Sequence, residues 1–420
     1  MPAPAGTITR KSMAIAAFST VVEWYDFTLY LYMATLLSRV FFGGGEASLA
    51  TTLGGFAVAY LMRPIGAAVF GYFGDRHGRR PTMLASMAIM TGAMLATALL
   101  PTYAAIGSTA GLLLMLLRCL MGFSVGGEYT GVVAYLLEGA PRERRGLITS
   151  LAAMASEIGA LFAAGVAAIT VSAFDAETLE AWGWRIPFFV GAVLAGSVLL
   201  ARSTMQESPE FERQVARGTV PARPLRFALQ YRAAIARGFA ISALGSITYY
   251  VGITYVPAFL TETNSLGEGQ ALWLSTLAAV VVILVTPVVG LLADRIGRKP
   301  MLLLLCAGAA LLPATMFAWM AAASDLRVLV GAVILAAVGG GVSAVGAVTT
   351  AELFPGEGRL SGLALGATAA TAIFGGFAPY VAQRLMAATG SPLVPGFMIA
   401  VVAIGVLPVL LTMPETRPRA

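Results

Sequence analysis

Long apolar runs alternate with short polar ones along the whole chain. A helix needs about 20 apolar residues to cross roughly 30 Å of hydrocarbon. Runs of that length recur at 13–39, 51–74, 82–101, 109–137, 147–173, 184–202, 235–260, 270–293, 301–322, 328–353, 361–388 and 394–413. They predict an all-α membrane protein with twelve transmembrane helices. Several runs exceed 25 residues, which predicts tilted or kinked spans. The first run has no small-residue cleavage site behind it and reads as a span, not a removed signal peptide. The longest polar stretch, 203–234, carries Pro209, Pro221 and Pro224. It reads as a cytoplasmic linker between a six-helix bundle at 1–202 and a second at 235–420.

Composition agrees with a bilayer as solvent: 58% of the 420 residues are hydrophobic and 11% are charged, against about 25% charged in soluble domains. The formal charge of +6 does not point to nucleic acid, because the cations sit in short loops. Arg10 and Lys11 precede the first run. Arg76, Arg79 and Arg80 follow the second, Arg142, Arg144 and Arg145 the fourth, and Arg295, Arg298 and Lys299 the eighth. Five more arginines, from Arg213 to Arg232, fill the linker. By the positive-inside rule these loops and both termini are cytoplasmic. Cys119 and Cys306 lie in apolar runs without metal spacing, and His77 is the only histidine. No catalytic set can be assembled around it, so an enzyme is not expected, nor a metal or other cofactor.

The two halves repeat. Gly71-x-x-x-Asp75-Arg76-x-Gly78-Arg79-Arg80-Pro81 is echoed by Gly290-x-x-x-Asp294-Arg295-x-Gly297-Arg298-Lys299-Pro300. Glu138, Pro141 and Arg145 recur at the same spacing as Glu352, Pro355 and Arg359. Internal duplication is a familiar architecture of secondary transporters.

These motifs resemble the loop 2–3 signature of the major facilitator superfamily, and Gly122–Gly127 with Tyr135, Glu138 and Arg145 resembles its second signature. Glu23-Trp-Tyr-Asp26-Phe27, Leu61-Met-Arg63-Pro-Ile-Gly66, Gly122-Phe-Ser-Val-Gly-Gly-Glu128-Tyr129 and Trp182-Gly-Trp-Arg-Ile-Pro-Phe188 are similar to the metabolite:proton symporter branch. That branch includes carriers of α-ketoglutarate, citrate, shikimate and proline or betaine. Ser19-Thr20 departs from the Gly-Asn common there. The resemblance implies a bacterial inner-membrane symporter working by alternating access, with protons as coupling ion and no other cofactor. Its partners would be a small organic solute, protons and the lipid bilayer, in a monomer. It also implies that Asp75 and Arg79 form a gating charge latch, with Asp294, Arg298, Arg145 and Arg359 in the repeated positions.

Charges deep in a membrane must pair, face water or work. Glu23 lies about ten residues into the first run, roughly 15 Å deep at 1.5 Å per residue. Asp26 shares its helix face. Arg63, Arg118 and Glu157 lie near the centres of their runs. Glu23, Asp26 and Glu157 are the candidates for proton coupling, since the proton affinity of a carboxyl responds to burial and to nearby charge. Arg118 is the candidate grip for a solute carboxylate, because guanidinium offers a planar two-point match. The plainer reading is that Arg63 or Arg118 only neutralises an acid. Tyr25, Tyr249 and Tyr250 supply rings and hydroxyls that could bound the solute. The expected function is proton-coupled import of a carboxylate-bearing metabolite, a di- or tricarboxylate such as α-ketoglutarate or citrate. The alternatives are symport of a zwitterionic osmolyte, where Trp24 and the tyrosines would cage its cation, and export of drugs through a broad apolar cavity.

Overall fold

The structure is a computed structural model that describes residues 8–44, 46–263, 268–321 and 325–417. These form twelve long helical segments. α1 runs Arg10–Tyr32 and resumes after Met33 as Ala34–Phe42. It is followed by α2 Glu46–His77, α3 Arg79–Leu99, α4 Thr109–Gly139, α5 Arg145–Ala173 and α6 Ala176–Ser203. α7 is built from Arg232–Tyr249, a π-helical turn Tyr250–Thr254 and Val256–Thr263. Then come α8 Glu268–Ile296, α9 Arg298–Ala321, α10 Asp325–Glu352, α11 Gly356–Thr389 and α12 Val394–Thr412. No strand occurs among the described residues.

Among the described residues, nine of these helices are long and apolar enough to cross a membrane by length and composition. Most helices start or end a few residues beyond the apolar runs, because their ends continue into polar and charged residues such as Arg79, Arg145 and Arg298. Leu112, Leu116 and Leu120 form an exposed stripe at helical spacing on α4, which suits a lipid-facing surface.

Packing divides the chain into two compact units. One holds residues up to Gly139 with Ala155–Leu225, and the other holds Ala140–Met154 with everything from Arg226. The segment expected to link two bundles thus packs with the first unit as far as Leu225. Its Pro209–Arg217 helix is capped by Ser208, whose hydroxyl accepts from the Phe211 N–H, and buries Phe211 and Gln214. Each unit uses the same helix pairing. In the first, α2 packs on α4 and α3 on α6; in the second, α8 packs on α10 and α9 on α12. The first core gathers around Tyr25, Leu29, Phe41, Met90, Trp184 and Phe188, the second around Leu244, Phe259, Leu302, Phe317, Val345 and Leu410.

Candidate functional site

The deep charges of the first unit meet because α2 and α4 pack almost backbone to backbone. A Cβ on Gly66 of α2 would lie 1.8 Å from the Phe123 carbonyl oxygen of α4. One on Gly122 would lie 2.0 Å from the Ala59 oxygen, and one on Gly126 would lie 2.1 Å from the Arg63 oxygen. Only glycine permits this approach, a common device for membrane helices. It brings Arg63 and Arg118 to one place. Glu23 and Asp26, three residues apart on α1, face the same place.

The result is a small cavity lined by Glu23, Asp26, Phe27, Tyr60, Arg63 and Arg118, with Tyr30 and small or aliphatic residues around them. Asp26 and Arg118 form a close pair: Arg118 Nη1 donates to Asp26 Oδ2 at 2.7 Å, and Nη2 reaches the Thr97 hydroxyl at 3.4 Å. Both residues are buried. Glu23 and Arg63 form a looser pair, 4.0 Å apart. The Arg63 guanidinium lies over the rings of Phe27 and Tyr60, 4.7 and 4.5 Å from their centroids, and Arg118 lies 5.2 Å from that of Tyr30.

Other expected residues stand elsewhere. Tyr25 is fully buried, and its hydroxyl donates to the Pro187 carbonyl at 2.7 Å. It ties α1 to α6 and does not line the cavity; the rings that do are Phe27, Tyr30 and Tyr60. Helix geometry gives the reason, since Tyr25 lies about 100° around α1 from Asp26. Glu157 is buried on α5 but is not a lining residue either. Tyr249 and Tyr250 sit in the second unit where α7 enters its π turn, with their rings 5.3 Å apart and edge to face. π turns recur at functional positions, and α11 has two, Ala364–Thr368 and Ala372–Gly376.

The repeated motifs build one arrangement twice. In the first unit Arg79 pairs with Asp75 at 3.1 Å and with Glu138 at 2.9 Å. In the second, Arg298 pairs with Asp294 at 3.0 Å and with Glu352 at 3.2 Å. Gly78 and Gly297 precede the two arginines with φ of 109° and 111°, where only glycine is unstrained, and so let α2 turn into α3 and α8 into α9. Asp294 also accepts the N–H groups of Gly146 and Leu147 at 2.8 and 2.9 Å, within the second unit, at the start of α5. A carboxylate is favoured at a helix N-terminus. Arg145 opens that helix. Arg359 donates to the carbonyls of Ala351 and Phe354 at 3.1 and 3.3 Å, closing the end of α10.

Three functional-looking groups are absent from the sequence reading. Glu207 accepts from the backbone N–H groups of Arg79 and Arg80 at 2.9 and 3.2 Å, and Glu415 does the same for Arg298 and Lys299 at 2.9 and 3.0 Å. Burial raises the Glu207 carboxyl above the ordinary glutamate value, against the hydrogen bonds it accepts from backbone N–H groups. Beside them Ser208 bonds Glu138, and Thr416 bonds Glu352 at 2.8 Å. The signal was a third echo, Thr204-Met-Gln-Glu207-Ser208 against Thr412-Met-Pro-Glu415-Thr416. The third group is Arg202, fully buried and paired with Glu128. It donates to the Met83 carbonyl at 2.5 Å and to the hydroxyl of Ser19. Glu128, in turn, accepts from Ser86 at 2.7 Å.

The model of the family described as sugar (and other) transporter matches residues 12–225 and again 210–420. The chain is 34% identical to the α-ketoglutarate permease of Escherichia coli K12, over 90% of this chain and 88% of that one. It is 31% identical to the proline/betaine transporter of the same strain, over 98% and 84%. The solved proton:xylose symporter XylE has the same fold, with a TM-score of 0.83 at 20% identity over 97% and 96% of the two chains.

Proposed function

Because the chain belongs to the sugar (and other) transporter family of the major facilitator superfamily, we propose that it is a proton-coupled symporter importing a small carboxylate-bearing metabolite by alternating access. The chain is a multi-pass membrane transporter and not an enzyme. The observation that carries the proposal is the buried Asp26–Arg118 pair lining one cavity with Glu23 and Arg63. With Asp26 ionised, the guanidinium is engaged internally. A proton on Asp26 weakens that pair and leaves Arg118 for a planar carboxylate. Solute and proton then favour each other's binding, which is the reciprocity coupling requires. Glu23 and Arg63 stand beside this pair as a second acid and a second cation. The α-ketoglutarate permease among the relatives favours a dicarboxylate. The proposed setting is a bacterial inner membrane with both termini cytoplasmic, as the loop arginines indicate.

A second reading has its own support. The proline/betaine transporters match nearly the whole chain, and the Phe27 and Tyr60 rings with Glu23 make a surface that attracts a cation. Arg63 lies on that surface.

The test is uptake by the purified chain in proteoliposomes under an inward proton gradient, with α-ketoglutarate, citrate, shikimate, proline and betaine in competition. Uptake that persists unchanged with a protonophore, and at every pH, defeats the symport reading.

A further inference from the structure

We propose that the cavity is a receptor for a dianion that loads together with two protons, one on Asp26 and one on Glu23. This rests on the symport reading and goes beyond it, by fixing the charge of the solute and the number of protons.

The argument is a charge count. Two acids and two arginines line the cavity. With both acids ionised the four charges cancel. A dianion held by Arg63 and Arg118 would leave two negative charges in excess, unless each acid takes a proton. With two protons the loaded cavity is neutral again. Uncompensated charge in mid-membrane is heavily penalised. The empty state and the fully loaded state are therefore the two that can interconvert between faces. A half-loaded carrier is held where it is. The same count gives one proton for a monoanion and none for a net-neutral zwitterion.

The geometry gives each acid a place for its proton. Glu23 Oε2 and Asp26 Oδ1 are both buried and take no hydrogen bond from any described protein group. Each residue is 2% exposed. The other oxygen of each acid points to its arginine, Asp26 Oδ2 at 2.7 Å and Glu23 Oε1 at 4.0 Å. An ionised oxygen is costly in such surroundings, and a carboxyl O–H less so. The arginines are held by aromatic rings, Arg63 by Phe27 and Tyr60, Arg118 by Tyr30. A ring engages the face of a guanidinium, while a carboxylate engages its edge, so the two can act together. The other titratable groups acting on the two acids are Glu128 and Arg202, which pair with each other, and the hydroxyls of Tyr25, Tyr30 and Tyr129.

The step balances. Protons from water add to Asp26 and Glu23 on one side of the membrane, and the solute carboxylates replace those acids at Arg118 and Arg63. On the other side the solute leaves, both protons return to water and the two ion pairs re-form. One turnover moves no net charge.

The experiment measures coupling stoichiometry with the full chain in proteoliposomes. α-Ketoglutarate serves as dianion, α-ketovalerate as its monocarboxylate analogue and proline as zwitterion. With two protons per dianion, a gradient of one pH unit balances a solute gradient of about 100-fold, and an imposed membrane potential does not move it; one proton gives about tenfold. The expectation is about 100-fold for α-ketoglutarate in the unaltered chain. Arg63→Gln should lose α-ketoglutarate uptake at least tenfold and keep proton-coupled α-ketovalerate uptake. Glu23→Gln leaves the empty cavity with one positive charge in excess and should slow net α-ketoglutarate uptake at least tenfold. A tenfold, voltage-sensitive gradient in the unaltered chain overturns the proposal. So does carriage of proline without α-ketoglutarate, which leaves proton-coupled carboxylate transport standing. Uptake of every probe without pH dependence instead removes the symport reading beneath both. The stoichiometry is read on the unaltered chain, so a variant that fails to fold does not hide the answer.

Discussion

At the scale of single residues, three of the first unit's acid–arginine pairs differ in setting. Asp26–Arg118 and Glu23–Arg63 open on the cavity, while Glu128–Arg202 is sealed among Ser19, Ser86 and the Met83 carbonyl. The sealed pair predicts a stability effect. Removing one partner of a buried pair leaves an uncompensated charge and costs about 3–5 kcal/mol. Arg202→Ala should therefore lower the melting temperature in detergent markedly, and Glu128→Gln added to Arg202→Met should recover much of the loss. If Arg202→Ala melts like the parent, Arg202 has no such role. The cavity pairs predict an effect on function. Arg118→Ala should insert normally and lose solute binding at least tenfold; unchanged affinity would take Arg118 out of the site. Ser19, where the related branch commonly shows glycine, has a visible task here: its hydroxyl takes a hydrogen bond from Arg202 and donates to the Ala16 carbonyl at 2.5 Å.

At the scale of elements, the α2–α4 crossing makes the site possible. Gly66, Gly122 and Gly126 each meet a backbone carbonyl of the facing helix at a distance no Cβ tolerates. Gly122→Ala should push α4 off α2 at a cost of about 1–3 kcal/mol and reduce transport with it. Wild-type stability and uptake in that variant would show that the helices need not be so close. The start of α3 offers a pH test. Glu207 caps it from outside the membrane span, and burial raises its carboxyl above the usual value. A folded-state value above the unfolded one means that folding takes up a proton. This contribution is fully present below the ordinary glutamate value of 4.5 and is lost as pH rises through the raised one. Glu207→Gln should flatten the fall in stability across that window, and an unaltered slope would assign the fall to other groups.

At the scale of the whole molecule, duplication supplies the frame and divergence the function. Both units repeat the same helix pairing and the same Asp–Arg–Glu cluster with a capping glutamate, built on Asp75, Arg79, Glu138 and Glu207 or on Asp294, Arg298, Glu352 and Glu415. Deep charge does not repeat. Glu23, Asp26, Arg63 and Arg118 have no charged counterparts near the centres of the apolar runs of the second half. The two clusters therefore predict matched behaviour, and Glu207→Gln and Glu415→Gln should each cost about 0.5–2 kcal/mol, the range for a lost helix cap. A loss confined to one of them would show that the repeats carry unequal loads.

The sequence by itself determined the membrane setting, the twelve helices, the duplication and the identity of the deep charges. All of these follow from local composition and spacing, because a bilayer demands long apolar runs and tolerates few ionised groups. Only the tertiary structure decided which charges meet. Helical rotation sends Tyr25 to Pro187 while Asp26 faces Arg118. Glu157 has the same deep position along its span and lies outside the cavity lining. Arg202, at the end of its apolar run, is sealed inside because α4 and α6 bring Glu128 to it. Depth is a property of one helix and can be counted along the chain, whereas direction and partnership depend on how several helices pack.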